Sequence, residues 1–334
     1  MTTNQAGQYN PLPHAGHPSM PDAASTDGFL AEPASWDGAM PDTAVMEAHQ
    51  RYPMRFPRAF LAHVAQHDPA DPLWRQGYPS AEELLEVPGF SADPLLEGQH
   101  TPLPGMIQKY PDRVLLLVSN RCAIHCRFCF RRHRREEKIP PDWRPILTAI
   151  RQDTRIREVI YSGGDPLMAS DAELAALTRH LADIPHLRRL RIHTRVPVAL
   201  PERITSDLLA WLTGSRLQPV VVLHVNHPAE LGASARTALR SLANHGIPLL
   251  QQAVLLQGVN DSATTLLELY AALIDLGIIP YYLHLLDPVA GAAHFQVTPE
   301  RGVELLASLR ERLPGYAIPR LVRDNPNGGG KERL

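Results

Sequence analysis

The amino-acid sequence predicts an α/β fold, a partial (β/α)6 barrel preceded by a helical N-terminal extension. Beyond Pro104, apolar runs of strand length alternate with amphipathic helical segments, which is the pattern of parallel β/α units. Polar or reactive residues follow the predicted strands, and the active sites of parallel barrels lie at the carboxyl ends of their strands. The apolar runs alone would also fit an open doubly wound sheet, so the polar residues decide for the barrel.

The predicted strands are six apolar runs, at 113–119, 158–162, 188–194, 219–225, 249–256 and 279–285. Predicted helices lie between and after them, at 143–153, 171–183, 202–213, 229–245, 263–276 and 299–313. Ser170 and Glu173 form a capping box ahead of the second helix, and Gly246 and Gly277 lie where two later helices end. The polar residues at or beyond the strand ends are, in order, the cysteine run 122–129, Gly163-Gly164-Asp165, Arg195, His224 to His227, Gln252 and Asp287.

The chain divides into four regions by composition. Residues 1–45 are rich in Pro, Gly, Ala, Ser and Asp without periodicity, which predicts a flexible arm. Residues 46–104 show helical spacing in short pieces and are expected to form a helical N-terminal region. The barrel is expected to occupy 105–313, and a C-terminal segment, 314–334, carries Lys331.

The charge balance excludes two classes of partner. The chain has 33 basic and 35 acidic residues and a net charge of −2, so neither nucleic acid nor a membrane surface is an expected partner. A small-molecule substrate is expected instead. The apolar runs are too short to span a membrane and no signal peptide opens the chain, so we expect a cytoplasmic protein with reduced thiols.

All three cysteines of the chain, Cys122, Cys126 and Cys129, lie in one C-x3-C-x2-C run. A zinc site with His125 or His133 as the fourth ligand, a disulfide, or three unrelated thiols are alternatives, but zinc pairs are usually spread over two loops and the count is odd. The spacing resembles the signature of radical S-adenosylmethionine (SAM) enzymes. That resemblance implies that the three thiolates hold a [4Fe-4S] cluster whose fourth iron binds SAM.

Two glycine-rich stretches are candidate cofactor contacts. Gly163 and Gly164 follow a predicted strand and would let the backbone approach the methionyl group of SAM, although an ordinary turn has the same composition. Lys331 follows three glycines at 328–330, and a lysine amine can form a Schiff base with pyridoxal phosphate (PLP). Without further support, such a tail is more often a frayed end.

Longer stretches resemble the lysine 2,3-aminomutase family of radical SAM, PLP-dependent enzymes. They are 122–132, 161–167, 280–287 and the glycine-rich approach to Lys331, and the resemblance extends from about Arg55 to the end. Three more stretches, 93–100, 291–295 and 315–321, are most similar to the branch that modifies elongation factor P with (R)-β-lysine. The resemblance adds support for the partial barrel.

The resemblance implies a role for each matching residue. It assigns Cys122, Cys126 and Cys129 to the cluster, Gly163, Gly164, Asp165, His224 and Gln252 to SAM, Lys331 and Arg113 to PLP, Arg131 to the substrate α-carboxylate, and Asp287 and Asp324 to the substrate ε-ammonium. A planar guanidinium suits a carboxylate, and a buried ammonium needs an anionic partner. Arg131 also lies in a basic run that solvent could cover, and Asp287 precedes a proline and could start a turn.

The implied activity is a radical isomerisation of L-lysine to β-lysine, with the R product expected, for attachment to elongation factor P by a separate ligase. An electron donor such as flavodoxin or ferredoxin would reduce the cluster, and a homo-oligomer is compatible with the sequence. An aminomutase acting on glutamate or another amino acid, a noncatalytic iron–sulfur electron-transfer protein and a zinc-binding scaffold remain alternatives.

Several positions depart from the family pattern. Ser262 stands where free-standing lysine aminomutases carry a zinc cysteine, so we expect no structural zinc. Asp324 stands where the elongation factor P branch tends to carry glutamate, and the three glycines before Lys331 are more like the free-standing enzymes. Gln251 and Gln257 replace the Asn and Arg that are frequent in the family. The pocket for the ε-ammonium is therefore where substrate identity is least determined.

Overall fold

A computed structural model describes residues 28–33, 41–64, 68–134, 139–140, 142–328 and 330–334. Most of the predicted arm, 1–27 and 34–40, lies outside the described residues. Helix α1 begins at Thr43 and runs to Arg51, with the carboxylate of Asp42 accepting a hydrogen bond from the backbone of its first turn.

The core of the molecule is one nine-stranded sheet. Ahead of it, β1 (Phe29–Leu30) and β2 (Phe56–Pro57) form a separate antiparallel pair. The nine strands are β3 (Met106–Tyr110), β4 (Arg113–Ser119), β5 (Glu158–Gly163), β6 (Arg189–Thr194), β7 (Gln218–His224), β8 (Leu249–Val254), β9 (Ile279–His284), β10 (Arg320–Asp324) and β11 (Lys331–Arg333). Their spatial order is their order in the chain. Because no strand skips a neighbour, the sheet is singly wound, as a partial barrel requires and a doubly wound sheet does not.

The six predicted strands correspond to β4 to β9, which pair in parallel, so the predicted fold class is confirmed. Strands β3, β10 and β11 were not predicted from the sequence. β10 extends the parallel array beside β9, while β3 and β11 pair antiparallel at the two edges. In β10 only Leu321 and Val322 are buried, between charged residues, so no apolar run reveals the strand.

Helices pack around the sheet at nearly the predicted positions. After α1, they are α2 (Arg58–Leu61), α3 (Pro72–Arg75), α4 (Arg144–Gln152), α5 (Asp171–Ala182), α6 (Val196–Ala199), α7 (Ser206–Thr213), α8 (Ala233–Asn244), α9 (Ala263–Ile274) and α10 (Pro299–Arg310). The capping box predicted at Ser170 and Glu173 is present at the start of α5. Gly246 and Gly277, with φ of 70° and 75°, follow the ends of α8 and α9 in the left-handed conformation that glycine favours. In the described ranges, no helix is long and apolar enough to cross a membrane.

The region before the barrel consists of short helices rather than long ones. Phe56, Phe60 and Trp74 stack on one another there and belong to the same apolar core as the barrel strands. Ser80 and Glu83 cap a short 3₁₀ helix, Ala81–Leu84, with a capping box. The N-terminal region is thus packed onto the barrel by apolar contacts, which brings its polar residues to the site.

Candidate active site

A cavity of about 750 Å³ lies on the concave side of the sheet. Its lining comes from the cysteine loop, from strands β4 to β9 and from the segment around β10 and β11. Every residue to which the sequence analysis assigned a role lines it: Cys122, Cys126, Cys129, Arg113, Arg131, Gly163, Gly164, Asp165, His224, Gln252, Asp287, Asp324 and Lys331. The fold therefore brings together residues that are more than 200 positions apart in the sequence.

The three cysteines are free, half-buried thiols that face this cavity. They do not converge closely enough to share one metal ion, whereas each cysteine of a four-iron cluster binds its own iron. Burial raises the pKa of Cys129 to about 11, so metal binding there would displace a proton. The donor set of three thiols in one loop fits an iron–sulfur cluster.

The cysteine loop is held by a buried carboxylate from the N-terminal region. Glu83 accepts hydrogen bonds from Arg127 at 2.8 and 2.6 Å and also pairs with Arg132. Arg127 is fully buried and additionally donates to the carbonyl oxygen of Tyr52 at 2.7 Å. Both arginines flank Cys129, so this ion-pair cluster fixes the loop that carries the thiols.

The two histidines considered as zinc ligands are directed elsewhere. His125 Nδ1 lies 2.7 Å from the carbonyl oxygen of Pro53, and His133 Nε2 lies 3.0 Å from that of Ala290. A ring nitrogen paired with a carbonyl oxygen carries the proton and is no metal ligand. Neither residue lines the cavity.

Gly163 and Gly164 pack against the backbone of the cysteine loop. A Cβ atom on Gly163 would lie 2.1 Å from the carbonyl oxygen of Ser119, and one on Gly164 would lie 2.4 Å from that of Arg121. Gly163 also has a φ of 127°, which side chains other than glycine rarely adopt. The close approach between these two loops explains why the turn is glycine-rich, and it leaves both glycines at the cavity wall.

Asp165 connects the ends of neighbouring strands. Its carboxylate accepts hydrogen bonds from Thr194 Oγ1 at 2.7 Å and from three backbone amides, those of Leu167, Arg195 and Val196. These bonds occupy both carboxylate oxygens. Asp165 therefore fixes the loops after β5 and β6. It would support a bound ligand by positioning these loops and not by direct contact.

Lys331 and Asp324 form an ion pair on the last two strands. In the register of β10 and β11 they are directly opposite, and Lys331 Nζ lies 2.7 and 2.5 Å from the two carboxylate oxygens of Asp324. His284 Nδ1 lies 3.3 Å from the same carboxylate. Burial alone would raise the pKa of Asp324. Contacts with His284 and Lys331 lower the pKa by more than burial raises it, so the net pKa lies below its usual range.

Asp287 lies beyond the end of β9 and behaves differently. Burial in the cavity wall, and secondarily the charge of Asp324, raise the pKa of Asp287 from 3.8 to about 7. The cavity thus holds two neighbouring carboxyl groups with well-separated pKa values. Such a pair favours a bound cation, because a cation would allow both groups to ionise.

Arg131 is already engaged by a carboxylate in the structure. Its Nε and Nη2 donate to Glu97 at 2.8 and 2.7 Å, and its Nη1 donates to Ser162 Oγ at 3.1 Å and to the carbonyl oxygen of Gly163 at 3.3 Å. Glu97 belongs to the 3₁₀ helix Glu97–His100 of the N-terminal region. The guanidinium is therefore oriented, and any ligand carboxylate would share it with Glu97.

Arg113, the residue expected to contact a phosphate, lies at the start of β4, whereas the cysteine loop follows the end of that strand. Its guanidinium stacks 3.6 Å from the ring centre of Tyr110 and pairs with Asp112 at 2.8 Å. The cavity therefore extends along the full length of the strands, with thiols at one end and Arg113 at the other.

His224 and Gln252 are opposite each other in the register of β7 and β8. His224 stacks on Phe128 of the cysteine loop, with ring centres 5.6 Å apart. Burial lowers the pKa of His224 well below 6.5, so the ring is neutral. Its Nε2 has no hydrogen-bond partner in the described part of the chain, which leaves a polar atom for a ligand beside the cysteines.

Among the cavity residues that were given no role in the sequence analysis are Glu97, His193, Arg195 and His284. Glu97 lies in the stretch 93–100 that carried a family resemblance, but its partner Arg131 is distant in sequence. His193 and His284 follow the alternation of strands β6 and β9, and each has a buried Nε2 with no hydrogen-bond partner among the residues described. Only the strand register places these rings in the cavity, so composition gave no signal for them.

Comparison with known proteins shows the family to which the chain is related. A family model described as the radical SAM superfamily matches residues 116–270. L-lysine 2,3-aminomutase of Escherichia coli (strain K12) is 44% identical over 280 residues, 83% of this chain and 82% of that protein. The protein of the same name from Haemophilus influenzae is 43% identical over 280 residues, 83% of each chain. That of Buchnera aphidicola is 39% identical over 289 residues, 86% of this chain and 85% of the other.

Proposed function

Because the chain belongs to the lysine 2,3-aminomutase family within the radical SAM superfamily, we propose that it is an isomerase that moves the α-amino group of L-lysine to the β-carbon. Membership of the superfamily implies a [4Fe-4S] cluster and SAM. PLP is the third cofactor of the proposal. When bound, the cluster and SAM supply a carbon-centred radical, and PLP carries the migrating nitrogen.

One observation carries the proposal: a single cavity is lined by the three thiols and by Lys331. An electron-transfer protein needs the thiols but has no use for a half-buried lysine, an arginine and two carboxyl groups in the same cavity. A mutase needs both the thiols and the lysine in one cavity, since the radical and the nitrogen carrier must reach one substrate carbon. Holding both in one pocket supplies the proximity on which such chemistry depends.

The charges of the cavity favour a dibasic amino acid. Asp287 and Asp324 offer two carboxyl groups to a distal ammonium, and Arg131 offers a guanidinium to an α-carboxylate. A glutamate side chain would bring another carboxylate to these two carboxyl groups, which costs free energy in a site shielded from water. Lysine is therefore the proposed substrate.

The chain's own residues have distinct tasks in this proposal. Cys122, Cys126 and Cys129 would ligate the cluster, and His224 and Gln252, which line the same cavity, would contact SAM. Arg113 would bind the phosphate of PLP, and Lys331 would hold its aldehyde carbon. Lys331 is paired with Asp324, and with Lys331 engaged by PLP the Asp324 carboxylate would be available to the substrate ammonium.

The decisive experiment is an anaerobic incubation of reconstituted protein with SAM, dithionite, PLP and L-lysine, followed by chiral analysis of the amino acids. We expect β-lysine, and L-glutamate in place of L-lysine should give no β-amino acid. Borohydride treatment of the PLP-loaded protein should leave a pyridoxyl group on Lys331, located by peptide mass spectrometry. Formation of 5′-deoxyadenosine without β-lysine would show that another amino acid is the substrate.

A finer proposal is that the product is (R)-β-lysine for elongation factor P. It is supported by the stretches 93–100, 291–295 and 315–321, which are most similar to that branch of the family. Supplying the enzymatic product to elongation factor P and its ligase should increase the mass of the factor by one β-lysyl group. If the product is the S isomer, or the ligase does not use it, this part of the proposal fails while the mutase activity stands.

A further inference from the structure

Arg195, which follows β6, directs its guanidinium at a sulfur of the cysteine loop. Its Nη1 donates to Sγ of Cys126 at 2.9 Å. The residue is buried, with an exposed fraction of 7%. It is a charged donor placed directly on one of the three thiols, and no role in the proposed reaction has been assigned to it.

The rest of the guanidinium is fixed by two buried side chains. Nη2 donates to Glu230 Oε2 at 2.9 Å and to Gln76 Oε1 at 2.6 Å, and Nε lies 3.3 Å from the same Glu230 oxygen. Glu230 in turn accepts hydrogen bonds from the backbone amides of Asn226 and His227, at 2.9 and 3.0 Å. Both ends of the ion pair are therefore held in place.

Alternative orientations of Arg195 are unfavourable. Glu230 and Gln76 each have an exposed fraction of 0%, so turning the guanidinium away would leave a buried carboxylate without its partner. The backbone amide of Arg195 is also bound by Asp165 at 2.6 Å. The N–H group facing Cys126 is thus preorganised by three elements: the N-terminal region, the loop after β5 and the loop after β7.

Hydrogen bonds to the sulfurs, together with local charge, are among the factors that set the reduction potential of an iron–sulfur cluster. Reduction adds one electron to the cluster and makes its thiolates more negative. A guanidinium on one sulfur stabilises the reduced form more than the oxidised form, which raises the potential. Glu230 carries the opposite charge at a greater distance from the sulfur and partly offsets this effect.

We propose that Arg195 is a positioning residue that donates a hydrogen bond to the Cys126 thiolate and makes the cluster easier to reduce. Its role is to lower the demand on the external one-electron donor that starts the reaction. The inference depends on the radical SAM assignment and is independent of which amino acid is isomerised.

Two variants of the full-length, anaerobically reconstituted protein test the proposal with opposite signs. In Arg195→Gln/Glu230→Gln, both charges are removed and the uncharged amide is a weaker donor, so the midpoint potential should fall. In Glu230→Gln alone, the guanidinium loses its counter-charge and the potential should rise. We expect each change to alter the equilibrium constant for one-electron reduction about tenfold, which is about 59 mV, measured by redox titration with electron paramagnetic resonance.

A second ion pair, with a buried arginine and a partly exposed carboxylate, serves as the control. Arg203, with an exposed fraction of 5%, pairs with Asp171 at 2.8 Å, and neither residue lines the cavity. Arg203→Gln/Asp171→Asn removes an arginine–carboxylate pair away from the thiols and should leave the potential unchanged. Iron and sulfide content and the melting temperature of each variant show that cluster loading and folding are comparable.

Equal potentials for the wild-type protein and both Arg195–Glu230 variants, at full iron content, would overturn the proposal, as would an equal shift in the control. If the double variant does not retain iron, Glu230→Gln alone decides, since an unchanged potential overturns the proposal and a rise supports it. Lysine turnover is measured separately. A shifted potential without β-lysine formation would refute the proposed substrate and leave the role of Arg195 intact.

Discussion

The titratable residues of the cavity differ in the charge state that their surroundings favour. Asp324 is kept ionised by Lys331 and His284, whereas Asp287, a short distance away, has its pKa raised to about 7. His224 and His284 are neutral because burial lowers their pKa. A cationic substrate would act on Asp287, since its binding would stabilise the ionised form of that carboxyl group.

Asp287→Asn tests that interpretation through stability. The raised pKa means that the folded state keeps its proton between pH about 4 and about 7 while the unfolded state loses it, so the wild-type protein loses stability as the pH rises through this window. The free energy of unfolding of Asp287→Asn relative to wild type should therefore increase from pH 4 to 7 and stay constant above it. Urea unfolding at several pH values measures this, and a difference independent of pH would contradict the raised pKa.

Gly163→Ala tests the contact between the two loops. The new Cβ atom would meet the carbonyl oxygen of Ser119, and the φ of 127° is unfavourable for alanine. We expect a loss of about 3 kcal/mol in the free energy of unfolding, from strain and overpacking together. Gly246→Ala is the control, because Gly246 also has a positive φ but no atom within 4 Å of its Cβ position, and it should lose about 1 kcal/mol. Equal losses would mean that the close approach is unimportant.

At the scale of elements, the cysteine loop is stabilised by the region before the barrel. The 3₁₀ helix that carries Glu83 supplies one carboxylate to two arginines, Arg127 and Arg132, on either side of Cys129. A second short helix supplies Glu97 to Arg131. The N-terminal region is therefore part of the site, although none of its residues is a cysteine or a lysine that would attract notice.

Glu83→Gln should weaken this attachment strongly. Removing one partner from a buried ion pair typically costs about 3–5 kcal/mol, because the remaining charge is left without compensation. We expect a lower melting temperature and faster loss of iron from the reconstituted protein. Glu82→Gln, at the exposed neighbouring position, should change neither measurement. Iron release equal to that of the wild type would show that the loop does not depend on Glu83.

At the scale of the whole molecule, the apolar core is formed mainly by the strands and their outer helices, and the cysteine loop contributes little to it. Removing iron by anaerobic chelation should therefore leave the far-ultraviolet circular dichroism spectrum unchanged. The melting temperature should fall by about 5 °C or more, because a tightly bound ligand stabilises only the folded state. A loss of helical signal on chelation would mean that the cluster is needed for the barrel itself.

Features that are local in the chain could be predicted from the sequence. The strands β4 to β9 are continuous apolar runs, and the caps of α5, α8 and α9 are set by neighbouring residues. β10 was missed because its apolar pair, Leu321 and Val322, lies between charged residues and is buried only through the parallel pairing with β9. The partners of Arg131 and Arg195 were missed because they are distant in sequence, and no local pattern specifies such contacts.

The two edges of the sheet, β3 and β11, are not bonded to each other, so the wall is curved but does not close on itself. A closed cylinder has a circumference fixed by its strand number and shear, and widening it breaks a hydrogen-bond ladder. Here the circumference is not fixed in that way, and Lys331 lies on β11, one of the two edge strands that form the free margins of the sheet. An outward displacement of that margin would break no ladder across a closed seam, because none joins β3 to β11.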